Sequence, residues 1–404
     1  MLNVKTPEEV CSIIRAEFSA VMPAEGVPLS EAYGRILHGD IRAEEHVPGF
    51  SRSTVDGFAV CARDTFGCSD AIPAILNVAG EVIMGEEPSF GVTPGHCATI
   101  FTGGALPEGA DAAVMLEYAE DYGDGSIGIQ RPSAPGENVI FRGDDVFPGK
   151  LVLSFGRRIL AADVGALAAM GVSRVSVCKR PLVGVISTGD ELIPHAKSPG
   201  AGQVRDANAP MLNALMTEFG ASTRDYGVIR DERDTLQSAV ARAAEECDMV
   251  LLSGGSSVGE KDAAATVMGS LGTVLLHGVA MKPGKPTILA KIKDTPVLGL
   301  PGHPAAAFFV ARLFARQLLA ALTGETLHAF TVPAVLLESI GSNHGRAEYV
   351  GVHLLQHGAS VSARPIRGKS GLITLLSGSD GYITVPRDCE GLPAGATVSV
   401  TLYS

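Results

Sequence analysis

Tryptophan is absent from the 404-residue chain, aromatic residues make up only 5%, and no stretch concentrates Lys or Arg on a net charge of −12. Affinity for a nucleic-acid duplex comes mainly from cations that neutralise phosphates, so no nucleic-acid partner is expected. The seven cysteines, at 11, 61, 68, 97, 178, 247 and 389, are odd in number and form no C-x-x-C pair. They read as small buried hydrophobes in a reducing compartment rather than as a disulfide framework. The ten histidines show no HExxH, which argues against a zinc site. No Cys/His pattern points to covalent catalysis. The opening MLNVKTPEEV lacks both a basic start and an apolar stretch, so no secretory signal is expected. No apolar run reads as long enough to span a bilayer, because Ala305–Leu322 is interrupted by Arg312, Arg316 and Gln317. A cytoplasmic protein without a membrane segment is the expectation.

What is present is a folded, multidomain composition. Hydrophobic residues make up 46% and charged residues 19%, and 404 residues are too many for one core. The 48 Gly and 24 Pro follow no period, which predicts many tight turns and short strands. Thr6-Pro7-Glu8-Glu9 is a helix start, with a capping hydroxyl, Pro at the first position and acids on the positive end. Residues 27–50 read as a short helix followed by an extended segment. Strand-like pieces between Gly/Pro turns mark residues 49–145 as a β-rich insertion. It interrupts an N-terminal mixed α/β domain made of 1–48 with 146–180. From 181 to 327, strands apolar throughout alternate with helices, which predicts a parallel sheet covered on both faces. In that unit Asp234 reads as a helix cap. Residues 328–404 return to short strands, a small C-terminal β domain.

Four segments of the α/β domain carry unusual residues at strand ends. They are Ser187-Thr188-Gly189-Asp190-Glu191, Ser253-Gly254-Gly255-Ser256-Ser257-Val258-Gly259, Met281-Lys282-Pro283-Gly284-Lys285-Pro286, and Leu300-Pro301-Gly302-His303-Pro304. Ligands bind outside the carboxyl ends of such strands. Glycines let backbone N–H groups converge on a phosphate, and a following helix adds its positive end. One such loop is more often a plain turn; four on one edge favour a ligand. Lys282 and Lys285 add point charges for anionic oxygens. Asp190, Glu191, Asp206, Asp231 and Asp262 supply the hard oxygen donors that suit Mg²⁺ beside phosphate. In the β-rich region, Asp56-Gly57 is a turn signal. Thr102, Glu117 and Arg142-Gly143-Asp144-Asp145 are further polar positions that spacing does not bring to one cleft.

Taken together, SRSTVDGFAV, IFTGGALPEGADAAVMLE, FRGDDV, ISTGDEL, SGGSSVGEKD, MKPGKP and GLPGHP resemble, in order, the characteristic segments of the MoeA-type molybdopterin molybdenumtransferases, the family that includes the gephyrin E domain. The resemblance covers nearly the whole chain. It implies an elongated fold: a three-layer α/β/α molybdopterin-binding domain, a β-rich inserted domain, a mixed N-terminal domain and a small C-terminal β-barrel. It also implies Mg²⁺-dependent insertion of molybdate into adenylylated molybdopterin with release of AMP, in a homodimer whose site lies between the α/β domain of one copy and the β-rich domain of the other. Carried over by motif, Asp56, Thr102, Asp145, Glu191, Asp231 and Asp262 become active-site residues, with Asp56, Glu191 and Asp262 as Mg²⁺ ligands. Ser253, Gly254, Gly255, Lys282, Lys285, Pro301, His303 and Pro304 become ligand-loop residues. A molybdopterin adenylyltransferase and recipient molybdoenzymes or their chaperones are the implied partners. His303 stands where the family commonly has Asn. A tungstate-handling paralogue, an adenylyltransferase and a non-catalytic cofactor carrier stay open as alternatives.

Overall fold

The computed structural model describes residues 4–254, 263–358, 360–369 and 371–403. The first helix, Pro7–Glu17, starts as its sequence requires. The Thr6 hydroxyl accepts from the Glu9 N–H at 3.3 Å, and the Glu9 carboxylate accepts from the Thr6 N–H at 2.7 Å, a reciprocal cap that satisfies two orphan donors. Val10, Ile14 and Phe18 enter the core of the α/β unit, against Val183, Leu318 and Leu322.

Residues 24–48 pair with residues 146–178. The strand Ala24–Pro28 lies antiparallel to Arg174–Cys178, and Ile41–Arg42 antiparallel to Leu151–Leu153. The expected helix after residue 27 is only a 3₁₀ turn, Leu29–Glu31. Three residues suffice to turn the chain between paired strands, and Gly34 at φ +74 ends any helical run there.

The segment between these halves forms a six-stranded sheet in the order Ala112–Met115, Gly57–Val60, His96–Ile100, Ala74–Glu81, Ser126–Ile129, Ala119–Asp121. Its buried faces carry Val60, Leu76, Cys97, Ile127 and Ile129 on one side and Val82, Ala98 and Ile100 on the other.

The α/β unit also has six strands, ordered Ser222–Ile229, Leu182–Thr188, Met249–Ser253, Thr295–Leu300, Ile288–Ile292, Thr273–His277. Its two faces are covered by separate buried clusters, one around Leu212, Met216 and Phe314 and one around Leu236, Val240 and Val267. The sheet is not wholly parallel, as the apolar strands predicted. Ile288–Ile292 is antiparallel to both neighbours. Only Lys293 and Asp294 separate it from the next strand, too short a link for a crossover. Asp234 lies inside the first turn of the helix Arg233–Glu246, whose N-cap is Glu232. It faces the positive helix end rather than capping it.

The helical stretch Pro304–Thr323 runs 20 residues with mean hydropathy 1.5, long and apolar enough by that measure to cross a membrane. Arg312, Arg316 and Gln317 do not interrupt it, in contrast to the expectation from sequence. It contains one π turn, Ala311–Ala315, and Ala307, Val310, Phe314 and Leu318 lie fully within the core. That burial accounts for its apolar composition.

In the C-terminal region, strands Ala347–His357, Ser360–Pro365, Thr331–Leu336, Thr397–Leu402 and Gly381–Val385 pair in sequence around a ring, and the last pairs back to the first. This is a closed five-stranded barrel, which leaves no free edge within the ring. Met281–Lys282 adds to its outside, parallel to Ala347–Glu348. Phe308, Phe309, Tyr349, Tyr382 and Tyr403 pack together in edge-to-face, tilted and stacked pairs where the barrel meets the long helix.

Candidate functional site

Two groups of polar residues emerge, one in the β-rich sheet and one on the edge of the α/β sheet. In the first, Ser53 and Arg52 pair with Val139 and Ile140, the Gly103 N–H donates to the Ser53 carbonyl at 2.8 Å, and the Arg142 N–H donates to the Ser51 hydroxyl at 3.1 Å. These bonds draw together three stretches that spacing left apart. Asp56 accepts from the Thr102 N–H at 2.7 Å and from its hydroxyl at 2.9 Å. The backbone donor, then the hydroxyl, hold the Asp56 carboxyl below the usual carboxylate range. Gly57 is required beside it, since a Cβ would stand 1.8 Å from the Val114 carbonyl oxygen. Asp145 is exposed on the 141–145 turn, and its N–H donates to the Val47 carbonyl. Exposed Phe50, Met84, Phe101, Leu116 and Phe141 belong to the same three stretches or adjoin them.

In the second group, parallel register aligns Ser187 with Ser253 and Ser253 with Leu300, so three strand ends share one edge. Gly254 follows at φ +101, and a Cβ there would lie 2.0 Å from the Thr188 carbonyl oxygen. Gly302 sits against it: a Cβ on Gly302 would be 3.8 Å from the Gly254 Cα. The Asp231 N–H donates to Asp190 at 3.3 Å, which joins two more of the acidic positions, and Glu191 lies beside them in an exposed loop. Asp206 is not a ligand candidate. Its carboxylate accepts from the Asn208 and Ala209 N–H groups at 3.0 and 3.1 Å and caps the helix Asn208–Glu218. Gly255 and Asp262 lie outside the described residues. The two groups belong to separate sheets of the chain.

Sequence reasoning missed Asn208, whose amide donates to the Ser253 hydroxyl at 2.7 Å and to the Gly302 carbonyl at 2.9 Å. Its only signal was its place two residues after Asp206. Missed as well was the pocket of about 810 Å³ between this edge and the barrel. The loop Met281–Pro286, Pro301 and His303 line one side; Arg346, Glu348, Arg367 and Lys369 line the other. Lys282 pairs with Glu348 at 2.8 Å, and Glu348 is the one acid among the described lining residues. The Lys285 ammonium and the Arg346 guanidinium have no ion-pair partner among the described residues. A pocket with this excess of cations, on a chain of net charge −12, is built for an anion. Pro304 opens the helix behind His303, which stands at its N-cap without a side-chain capping bond.

Three family descriptions match in succession: the MoeA N-terminal region, domains I and II, over residues 5–171; a probable molybdopterin-binding domain over 184–321; and the MoeA C-terminal region, domain IV, over 333–403. A putative molybdopterin biosynthesis protein of Methanocaldococcus jannaschii is 35% identical over 385 residues, 93% of this chain and 91% of that one. The chain belongs to the MoeA family. The molybdopterin molybdenumtransferase of Bacillus subtilis is 33% identical over 410 residues, covering 100% of this chain and 95% of its own. A solved structure of the molybdopterin biosynthesis MoeA protein from Pyrococcus horikoshii aligns with a TM-score of 0.87 at 32% identity, over 99% of this MoeA-family chain and all of that one. The family places the chain in molybdenum cofactor biosynthesis, and the multidomain fold with its C-terminal barrel agrees with it.

Among the described residues no three His, Cys, Asp or Glu side chains gather as a ready metal site. Mg²⁺ keeps several waters and shares substrate phosphates with one or two carboxylates. The acids at the α/β edge suit that partial role.

Proposed function

We propose that this protein inserts molybdate into adenylylated molybdopterin and releases AMP, as a homodimer with Mg²⁺. The observation that carries the reading is the cation-lined pocket opening beside the Gly254 and Gly302 turns. Backbone N–H groups at such turns, and the positive ends of the helices that follow, favour phosphate. Lys282 and Lys285 orient anionic oxygens, with Arg346 facing them from the barrel. Glu191 and Asp231 would hold Mg²⁺, with Asp262 as the sequence pattern suggests. Bound there, the ion supplies charge compensation as the phosphoanhydride breaks. The carboxylate of Asp56, kept ionised by Thr102, is set to complete the site from a second copy. Exposed Phe50, Met84, Phe101, Leu116 and Phe141 support that arrangement, since an apolar rim around an acidic group favours a protein cover.

The test is a turnover assay with purified protein, adenylylated molybdopterin, Mg²⁺ and either molybdate or tungstate. Metal-stimulated AMP formation, faster with molybdate, is expected. No AMP formation with either oxyanion would reject the reading. Sedimentation of wild type should give a dimer, and mixed dimers of Asp56→Ala with Lys285→Ala subunits should recover one intact site. A monomer with full turnover would remove the shared site.

A further inference from the structure

We infer that Asn208 is a positioning residue that locks the Gly254 turn to the Pro301–Pro304 turn and thereby sets the width of the anion cradle between them. The side chain is 7% exposed, and both of its N–H donors are committed, one to the Ser253 hydroxyl at 2.7 Å and one to the Gly302 carbonyl at 2.9 Å. These partners end two neighbouring strands, Met249–Ser253 and Thr295–Leu300. A second tie runs between the same ends, from the Gly254 N–H to the Leu300 carbonyl at 3.2 Å. Asn208 is itself fixed from below. The Asp206 carboxylate accepts its backbone N–H and that of Ala209 at the start of an 11-residue helix. The chain of contacts therefore runs from helix to side chain to both turns.

Stability alone does not account for the residue. Among the described residues its Oδ1 is buried without a hydrogen-bond partner, as are the Ser187 and Thr188 hydroxyls on the adjoining strand end. A buried acceptor left unpaired is destabilising, and an apolar side chain of similar volume would avoid it. What an apolar side chain cannot do is hold a hydroxyl and a carbonyl on two separate turns at fixed spacing. Gly254 and Gly302 leave no side chain of their own to set that spacing, so the amide of Asn208 does it. The identity of the anion rests on the function proposed above; the clamp does not.

The experiment separates the two. Hydrogen exchange is followed by mass spectrometry on the unliganded full-length protein and on Asn208→Asp and Asn208→Ala. Asn208→Asp is isosteric and places a carboxylate oxygen against the Gly302 carbonyl. Both variants should exchange the amides of Gly302, His303 and Gly254 roughly tenfold faster, the weight of about one net hydrogen bond. The amides of Met249–Leu252 should keep their protection. Unchanged exchange at the turns would overturn the inference, and so would a uniform loss of protection across the sheet, which marks a merely structural residue. AMP is then titrated as the probe. Roughly tenfold weaker binding is expected in both variants, with affinity unchanged overturning the functional consequence. If wild type fails to bind AMP, the proposed function is in question while the exchange data still decide the clamp.

Discussion

Replacing Gly254 by alanine tests the site at its tightest point. The added Cβ would lie 2.0 Å from the Thr188 carbonyl oxygen, and real Cβ atoms essentially never approach closer than 3.0 Å. The two strand ends must therefore separate by at least about 1 Å, or the turn must rotate out of its φ of +101. An L-residue held at such a φ costs roughly 1–3 kcal/mol. If the chain keeps its position, that strain appears as lost stability, and at 2–4 °C per kcal/mol the midpoint falls by roughly 2–12 °C. If it relaxes, stability recovers but the turn moves by an ångström, a displacement that costs on the order of 10²-fold in a positioned reaction. Thermal unfolding and AMP release from adenylylated molybdopterin are measured on the same preparation. At least one must fall: stability if the turn stays, turnover if it shifts. A variant with its midpoint within 1 °C of wild type and turnover within about twofold would refute the steric argument.

Three further outcomes follow from the described contacts. Glu325, with a side chain only 5% exposed, is gripped by Arg158 at 2.9 Å and Arg316 at 2.6 Å, and Glu325→Gln should cost about 3–5 kcal/mol by leaving those guanidiniums underpaired. Burial pushes the Glu325 carboxyl up, but Arg316 and Arg158 together hold it below its ordinary value. Its contribution is thus complete above the unfolded carboxylate range near about 4.3 and is lost as pH falls through the lower folded value. Wild type and variant should converge in acid denaturation, and a gap that widens on acidification would contradict this. Thr102→Val removes one of two donors from Asp56, so an NMR titration of its carboxyl carbon should move up toward the ordinary range while the unfolding midpoint stays; an unmoved titration would show that the backbone N–H alone sets it. Glu348→Gln frees Lys282 from its counter-ion, so molybdate used as a probe should bind several-fold tighter by calorimetry, whereas weaker binding would mean that Glu348 orients the ammonium for the anion.

Much of this was legible in the residues, and the failures have identifiable causes. Leu182–Thr188 and Met249–Ser253 read as buried strands because every position is apolar or small, and both are buried almost end to end. The Thr6 cap, with Pro7 at the first helical position, was equally plain. Asn208, Arg346 and Glu348 were not, because each acts through a partner distant in sequence: Ser253 and Gly302 for the first, the pocket and Lys282 for the others. Hydrophobic pattern reports which faces are buried and says nothing of such pairings.

Strand direction was the most consequential omission. In a wholly parallel sheet, a loop that precedes a strand lies at the amino edge. The Met281–Pro286 loop leaves the carboxyl end of Thr273–His277 and precedes Ile288–Ile292, so in an all-parallel sheet this short connection would have to cross to the amino edge. Ile288–Ile292 runs against its neighbours, with Ile288 opposite Gly299 at the carboxyl end of the adjacent strand. The reversal keeps the whole connection, with Lys282 and Lys285, at the ligand edge, and the parallel bridge from Met281–Lys282 to Ala347–Glu348 ties the loop to the barrel. Its signature was available in Lys293-Asp294, a connection too short for anything but a hairpin. One antiparallel strand therefore lets a short loop stay on the ligand edge, where its cations meet the glycine turns set by parallel register and the C-terminal barrel reached through Met281–Lys282.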